Sequence, residues 1–281
     1  MKFWLLMILL IASPVVINPI MANLVVEEHH QGWQKNLQVD DVFYDLYIPS
    51  RSLVGTILVL PGWNFPRTSW VENSELVKYA DEYGYALILP EMGQTIYESS
   101  YYPETTMKWN SLPGGEFIKT RLIPEMQTRH NLLQTVQYNT LLGLSTGGRG
   151  VTLIALENPQ IFKAGASLSG DFSQENMPAD NLMRAVYGPI EEFEARWRGR
   201  DNPQARIKEW SIPLYLTHGS ADEIVPESQS RLFYDSYREY HRDTGLVVYY
   251  PVVDAGHDYT FWNSQLPNIF EFFEKFRGLI N

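Results

Sequence analysis

A serine flanked by glycines, Gly143-Leu144-Ser145-Thr146-Gly147 in the stretch LLGLSTGGRGV, is where residue types and spacing in this chain could do chemistry. Fixing a glycine costs backbone entropy, so a run of them calls for a close approach or an unusual backbone angle. The pattern G-x-S-x-G supplies both, because a strand reverses sharply into a helix and holds the serine hydroxyl above the sheet edge. A loop that merely contains Gly and Ser is the competing reading, and the flanks favour the turn. YNTLLGL before the serine has the run of a buried strand, and TGGRGVTLIALEN after it has helical spacing at Val151, Ile154 and Ala155.

A serine hydroxyl is a poor nucleophile until a base takes its proton, and the base works best when a carboxylate orients it. In the fold that uses this turn the chain order is Ser, then Asp or Glu, then His. Two histidines follow strands late in the chain, His218 in YLTHGSADEIVP and His257 in DAGHDYTFW. His257 comes after the last strand and is expected to be the base; His218 ends a strand directly and reads as a packing and hydrogen-bonding residue. Asp222, just beyond the strand PLYLTHG, is the expected acid, ahead of its neighbour Glu223 and of Asp254 and Asp258, which sit close to His257 and read as loop-structuring groups. Donors for an oxyanion are expected from the backbone N–H of Thr146 and from the loop LVLPGWNF, with Trp63 the first candidate there and Asn64 the second. Without the nucleophile turn, that loop would read as an ordinary Pro-Gly turn.

These loops need a sheet to hold them. GTILVLPGW, YALILPEM, FKAGASLSG, IPLYLTHG and LVVYYPV read as buried strands, and NSELVKYADEYG, GGEFIKTRLIPEMQTRHN, SQSRLFYDSYREYHRDTG and NSQLPNIFEFFEKFRGL read as helices. LVVEEHH and DVFYDLYIP suggest antiparallel opening strands. Alternating buried strands and helices predict an α/β architecture, a mostly parallel sheet covered on both faces. Residues 171–210 break the rhythm and read as an insertion or short cap within one domain spanning 23–281.

Composition narrows the function. A net charge of −11 disfavours nucleic acid and anionic membrane surfaces as partners. Neither an H-E-x-x-H pattern nor a P-loop lysine occurs and the chain has no cysteine, so catalysis without metal or cofactor is expected. MKFWLLMILLIA followed by SPVVINPIMAN has the layout of a secretory signal peptide over residues 1–22, with the mature chain starting near Asn23. That predicts a secreted or periplasmic protein without stable membrane association after cleavage. The alternative is an uncleaved anchor, against which Pro14, Asn18 and Pro19 interrupt the apolar run.

GLSTGG, FKAGASLSG, HGSADEIVP and GHDYTFWNSQLPNIFEFF together resemble the esterase D-like branch of the α/β-hydrolase superfamily, which includes secreted feruloyl esterases and mycolyltransferases. The resemblance spans most of the chain after about residue 40 and implies the α/β-hydrolase fold and serine esterase chemistry. Two departures stand out: Pro61-Gly62 where the family often carries His-Gly, and Thr146 where it usually has Met, which keeps the backbone donor but alters the pocket beside it.

The expected substrate is a carbohydrate-linked, phenolic or small acyl ester. Aromatic residues cluster near the strand ends, and Tyr101, Tyr102, Trp109, Tyr259 and Trp262, with Asn64, are candidates for a substrate wall, although any one of them could instead pack a loop against the body. An acyltransferase sharing the acyl-enzyme and a binding protein on a hydrolase fold are the rival functions.

Overall fold

The computed structural model describes residues 30–242 and 245–280. The expected signal peptide, and LVVEEHH up to residue 29, lie outside them. Among the described residues the first strand is β1 (Gly32–Val39), GWQKNLQV, a half-exposed segment bent by an irregularity between Gln34 and Leu37. It pairs antiparallel with β2 (Val42–Ile48), which pairs antiparallel with β4 (Tyr85–Pro90). β4, β3 (Gly55–Leu60), β5 (Asn139–Leu144), β6 (Phe162–Leu168), β7 (Leu214–Gly219) and β8 (Val247–Val252) are mutually parallel, and the sheet order is β1-β2-β4-β3-β5-β6-β7-β8. This is the mostly parallel sheet expected from the alternation of elements.

Both faces of the central strands are covered because successive side chains point to opposite sides. Leu58, Leu60 and Leu141 face one core, shared with Val151 and Phe233, while Ile57, Val59, Leu142 and Leu144 face the other, shared with Phe270 and Phe273. The connection from β3 to β4 holds α1 (Ser69–Asn73) and α2 (Leu76–Tyr83), and Gly84 stops α2 in the left-handed conformation at φ 84° with its N–H on Ala80 O. The connection from β4 to β5 holds one continuous run: α3 (Gly114–Phe117), a π-helical turn (Ile118–Leu122) and α4 (Ile123–Arg129). Pro124 has no N–H to offer the preceding turn, and the π turn absorbs the defect, with Ile123 N–H reaching back to Ile118 O.

α5 (Thr146–Glu157) links β5 to β6. Between β6 and β7 the segment 171–210 holds α6 (Asn181–Tyr187) and α7 (Ile190–Trp197), the latter kinked at Phe193. These helices share a small core of their own, Met183, Val186, Tyr187 and Trp197 with Ile96. α8 (Ser228–His241), α9 (Tyr259–Ser264) and α10 (Leu266–Ile280) complete the layers. Since β3 and β5 to β8 run parallel, the loops that follow them leave the same edge of the sheet.

Candidate active site

Ser145 sits between the last residue of β5 and the first of α5, at φ 55° and ψ −127°. A non-glycine residue at positive φ is strained. The surrounding contacts hold it there: Ser145 N–H donates to Leu168 O on the neighbouring strand at 2.9 Å, and Arg149 N–H returns to Ser145 O at 3.2 Å. The flanking glycines are explained by crowding. A Cβ on Gly143 would lie 2.2 Å from Gly147 O, and one on Gly147 would lie 2.2 Å from Leu60 O and 2.6 Å from Pro61 O. The helix start is thus pressed against both its own strand and the end of β3.

Asp222 and His257 meet in the loops after β7 and β8, with His257 Nδ1 at 2.7 Å from Asp222 Oδ2. The Asp222 side chain is fully buried, and its other oxygen, Oδ1, accepts the N–H groups of Ile224 at 3.0 Å and Val225 at 2.9 Å. Burial alone would raise this carboxyl, but hydrogen bonds from His218, His257 and Val225 outweigh it and hold the group far below the usual carboxylate range. An ionised acceptor at Oδ2 takes a proton from Nδ1, which leaves His257 Nε2 as a free acceptor. Trp262 packs edge-on to the His257 ring at 5.1 Å and donates its indole N–H to Ser169 Oγ at 3.2 Å, while Tyr259 packs on Trp262, Phe65 and Trp70. Tyr259 and Trp262 therefore brace the histidine loop. Glu223 and Asp254 are exposed, and Asp258 caps α9 by accepting the N–H of Phe261.

Ser145, Thr146, Trp63 and His257 line one cavity of about 220 Å³. Among the described residues the backbone N–H groups of Trp63 and Thr146 make no hydrogen bond, whereas Asn64 N–H is occupied by Gly93 O at 2.7 Å. Phe65, Met177, Leu182, Met183, Ile224 and Val225 form its apolar wall, and Asp171 and Asp180 complete the lining. Tyr101, Tyr102, Trp109 and Asn64 are not part of that lining. Tyr101 hydroxyl donates to Asn110 O and Leu112 O, Tyr102 packs on Tyr187 with the Arg196 guanidinium over its ring, and Trp109 packs on Phe117. These residues support the 171–210 segment and its neighbours.

The wall residues from that segment escaped sequence reasoning. Met177, Leu182 and Met183 are apolar residues stranded in the polar stretch NMPADNLM, and Ile224 and Val225 follow the acid directly, which is the one local signal they carry. Asp171 is buried against Arg149, whose guanidinium lies 3.1 Å from its carboxylate and also reaches Ile96 O, Tyr187 and Gln174, so α5 is tied to the 171–210 segment that lines the cavity. Among the described residues no group of three or more His, Cys, Asp or Glu could hold a metal ion, and no helix is long and apolar enough to cross a membrane.

A family model described as "Putative esterase" matches residues 41–273. An acetyl esterase of Caldicellulosiruptor saccharolyticus is 25% identical over 235 residues, covering 78% of this chain and 83% of that protein. The diacylglycerol acyltransferase/mycolyltransferase Ag85C of Mycobacterium leprae is 23% identical over 219 residues, 65% of this chain and 62% of its own length. Among solved structures, Mycobacterium tuberculosis MPT51 superposes with a TM-score of 0.70 at 14% identity, covering 90% of this chain and all (100%) of that one. The matched region carries the serine turn, the Asp222 loop and the His257 loop on a single sheet, and the chain belongs to this esterase family, an esterase D-like branch of the α/β-hydrolases.

Proposed function

We propose that this esterase is a secreted serine carboxylesterase working through an acyl-enzyme on Ser145, with His257 as base, Asp222 as its orienting acid, and the N–H groups of Trp63 and Thr146 as oxyanion donors. One observation carries the reading. Ser145, held at φ 55° where strand turns to helix, lines the same cavity as a histidine whose Nδ1 is bonded at 2.7 Å to a buried, ionised aspartate.

In this mechanism Ser145 Oγ attacks the ester carbonyl carbon while its proton passes to His257 Nε2. The carbonyl electrons move onto oxygen, where the two backbone N–H groups receive the charge. The tetrahedral adduct collapses, the alkoxide leaves and takes the proton from His257, and the acyl group stays on Ser145. Water then repeats the sequence: His257 takes its proton, the acid is released, and Ser145 regains its hydrogen. Asp222 stabilises the imidazolium formed in each half-reaction.

A cavity of about 220 Å³ with Trp63 and Phe65 beside methionine and aliphatic side chains suits a small acyl group or a single phenolic ring, with the alcohol, such as a sugar, extending outward. Residues 1–22 would direct export. The test is a fluorophosphonate label on purified mature protein, with p-nitrophenyl esters of graded chain length, methyl ferulate and acetylated sugars as substrates. Labelling at Ser145 with turnover of short or phenolic esters is expected. A folded protein that is neither labelled nor active on any of them refutes the proposal. Transfer of the acyl group to an added alcohol in preference to water would assign the second step to acyl transfer instead.

A further inference from the structure

His218 is the penultimate residue of β7, four residues before Asp222, and the mechanism above does not use it. Its ring is fully buried. Nδ1 lies 2.8 Å from Ser230 Oγ on α8, and Nε2 lies 3.0 Å from Val225 O and 3.3 Å from Asp222 Oδ2. Both neighbours of Nε2 are acceptors, so Nε2 must carry a proton. The Ser230 hydroxyl is able to donate, and a neutral ring accepts it at Nδ1. That arrangement avoids a second buried cation beside the ring that must become positive during the reaction.

We infer that His218 is a positioning residue for the proposed reaction: its Nε2–H, aimed by Ser230, holds Oδ2 of Asp222 in line with His257. The inference rests on the Ser145, His257 and Asp222 reading. Two backbone N–H groups on Oδ1 anchor that oxygen but leave the carboxylate plane free to turn about it. A donor on Oδ2 restricts the turn. Val225 joins both ends, donating its N–H to Asp222 Oδ1 and accepting the His218 Nε2–H at its carbonyl, so ring, turn and carboxylate are coupled. The loss of such coupling would appear in the chemical step, because Asp222 itself touches no substrate.

The experiment compares His218→Gln, which keeps a donor near the Nε2 position, with His218→Leu, which fills space without one. Folded His218→Leu should lose about 10- to 100-fold in kcat, the rate equivalent of one charge-assisted hydrogen bond, with KM within about twofold of wild type. The low-field proton resonance of the His257 Nδ1–H should shift in that variant. His218→Gln should recover most of the kcat and the resonance. An unchanged kcat and resonance in folded His218→Leu overturns the inference, as do equal losses in both variants with the resonance unmoved, which would indicate packing alone. Should the leucine variant not fold, Ser230→Ala releases the ring from its Nδ1 anchor and is read by the same two criteria. Failure of the underlying reading is separate, since wild-type protein would then resist the fluorophosphonate label at Ser145.

Discussion

Replacing Asp222 by asparagine keeps the shape of the side chain and changes what it offers its neighbours, and the hydrogen bonds around it dictate how the amide must sit. All four neighbours are donors: Ile224 N–H at 3.0 Å and Val225 N–H at 2.9 Å on Oδ1, His257 at 2.7 Å and His218 at 3.3 Å on Oδ2. An amide has one oxygen and one NH₂. With NH₂ on the Oδ1 side, two fixed backbone donors would be opposed. With NH₂ on the Oδ2 side, both backbone bonds survive and the histidines face a donor. The second orientation costs less, because an imidazole can change tautomer and a peptide N–H cannot. His257 then accepts at Nδ1 and carries its proton on Nε2, where the Ser145 proton has to go. The matching change in a serine protease costs about 10⁴-fold in kcat, and a loss of that order is expected here. The fold should hold, with a melting temperature lower by a few degrees, at about 2–4 °C per kcal/mol for a chain of this size. Initial rates on a short p-nitrophenyl ester, paired with thermal melts, measure both quantities. The reasoning is refuted if Asp222→Asn is mild while the exposed Asp254→Asn or Glu223→Gln is severe.

Ser145→Ala should abolish turnover, a loss on the order of a million-fold by analogy with serine proteases, while the melting temperature stays near wild type because Ser145 lines the cavity and its hydroxyl is not part of an apolar core; appreciable activity in a folded mutant would remove Ser145 from the mechanism. Gly147→Ala places a Cβ 2.2 Å from Leu60 O and 2.6 Å from Pro61 O, backbone atoms that cannot step aside, so stability should drop by about 1–3 kcal/mol or more and activity should fall with it, both read from urea melts and ester assays. Glu157 supplies the acid-stability prediction: hydrogen bonding from Arg200 comes first and, against the cost of burial, bonds from Arg206 and Lys119 add to it, bringing its carboxyl down to about 2. A folded pKa below the unfolded value of about 4.3 means this stabilisation is complete above that pH and is lost as pH falls toward 2, so Glu157→Gln should narrow the gap between urea midpoints at pH 7 and pH 3. An unchanged gap would show that other carboxylates govern the acid limb.

Much of the fold was legible because its signals are local. The central strands are apolar runs long enough to be strands and too short to be helices, and the glycines around Ser145 mark crowding that no other residue type tolerates. The opening strand was not legible in this way. GWQKNLQV lies at the sheet edge with one half-exposed face, so burial imposes no apolar run on it. Residues 101, 102 and 109 misdirect for a related reason: an aromatic side chain near a strand end looks the same in sequence whether it packs on Tyr187 and Phe117 or faces a ligand.

Sequence by itself determined which residues could form a nucleophile turn and, through chain order, that Asp222 and His257 were the partners to examine. The glycines that mark the turn are written locally, but the crowding that requires them is local only for Gly143, which meets Gly147 four residues on; Gly147 is crowded by Leu60 and Pro61 at the distant end of β3. The cavity was decided by tertiary structure alone. Its wall comes from the ends of β3, β5, β7 and β8 and from the segment after β6, residues as far apart as Trp63, Met183 and Val225. Likewise, His218 became a neighbour of the Asp222 carboxylate only when β7, the loop after it and α8 closed around one buried ring. A contact between side chains that no period relates depends on how the layers pack, and packing is a property of the whole chain.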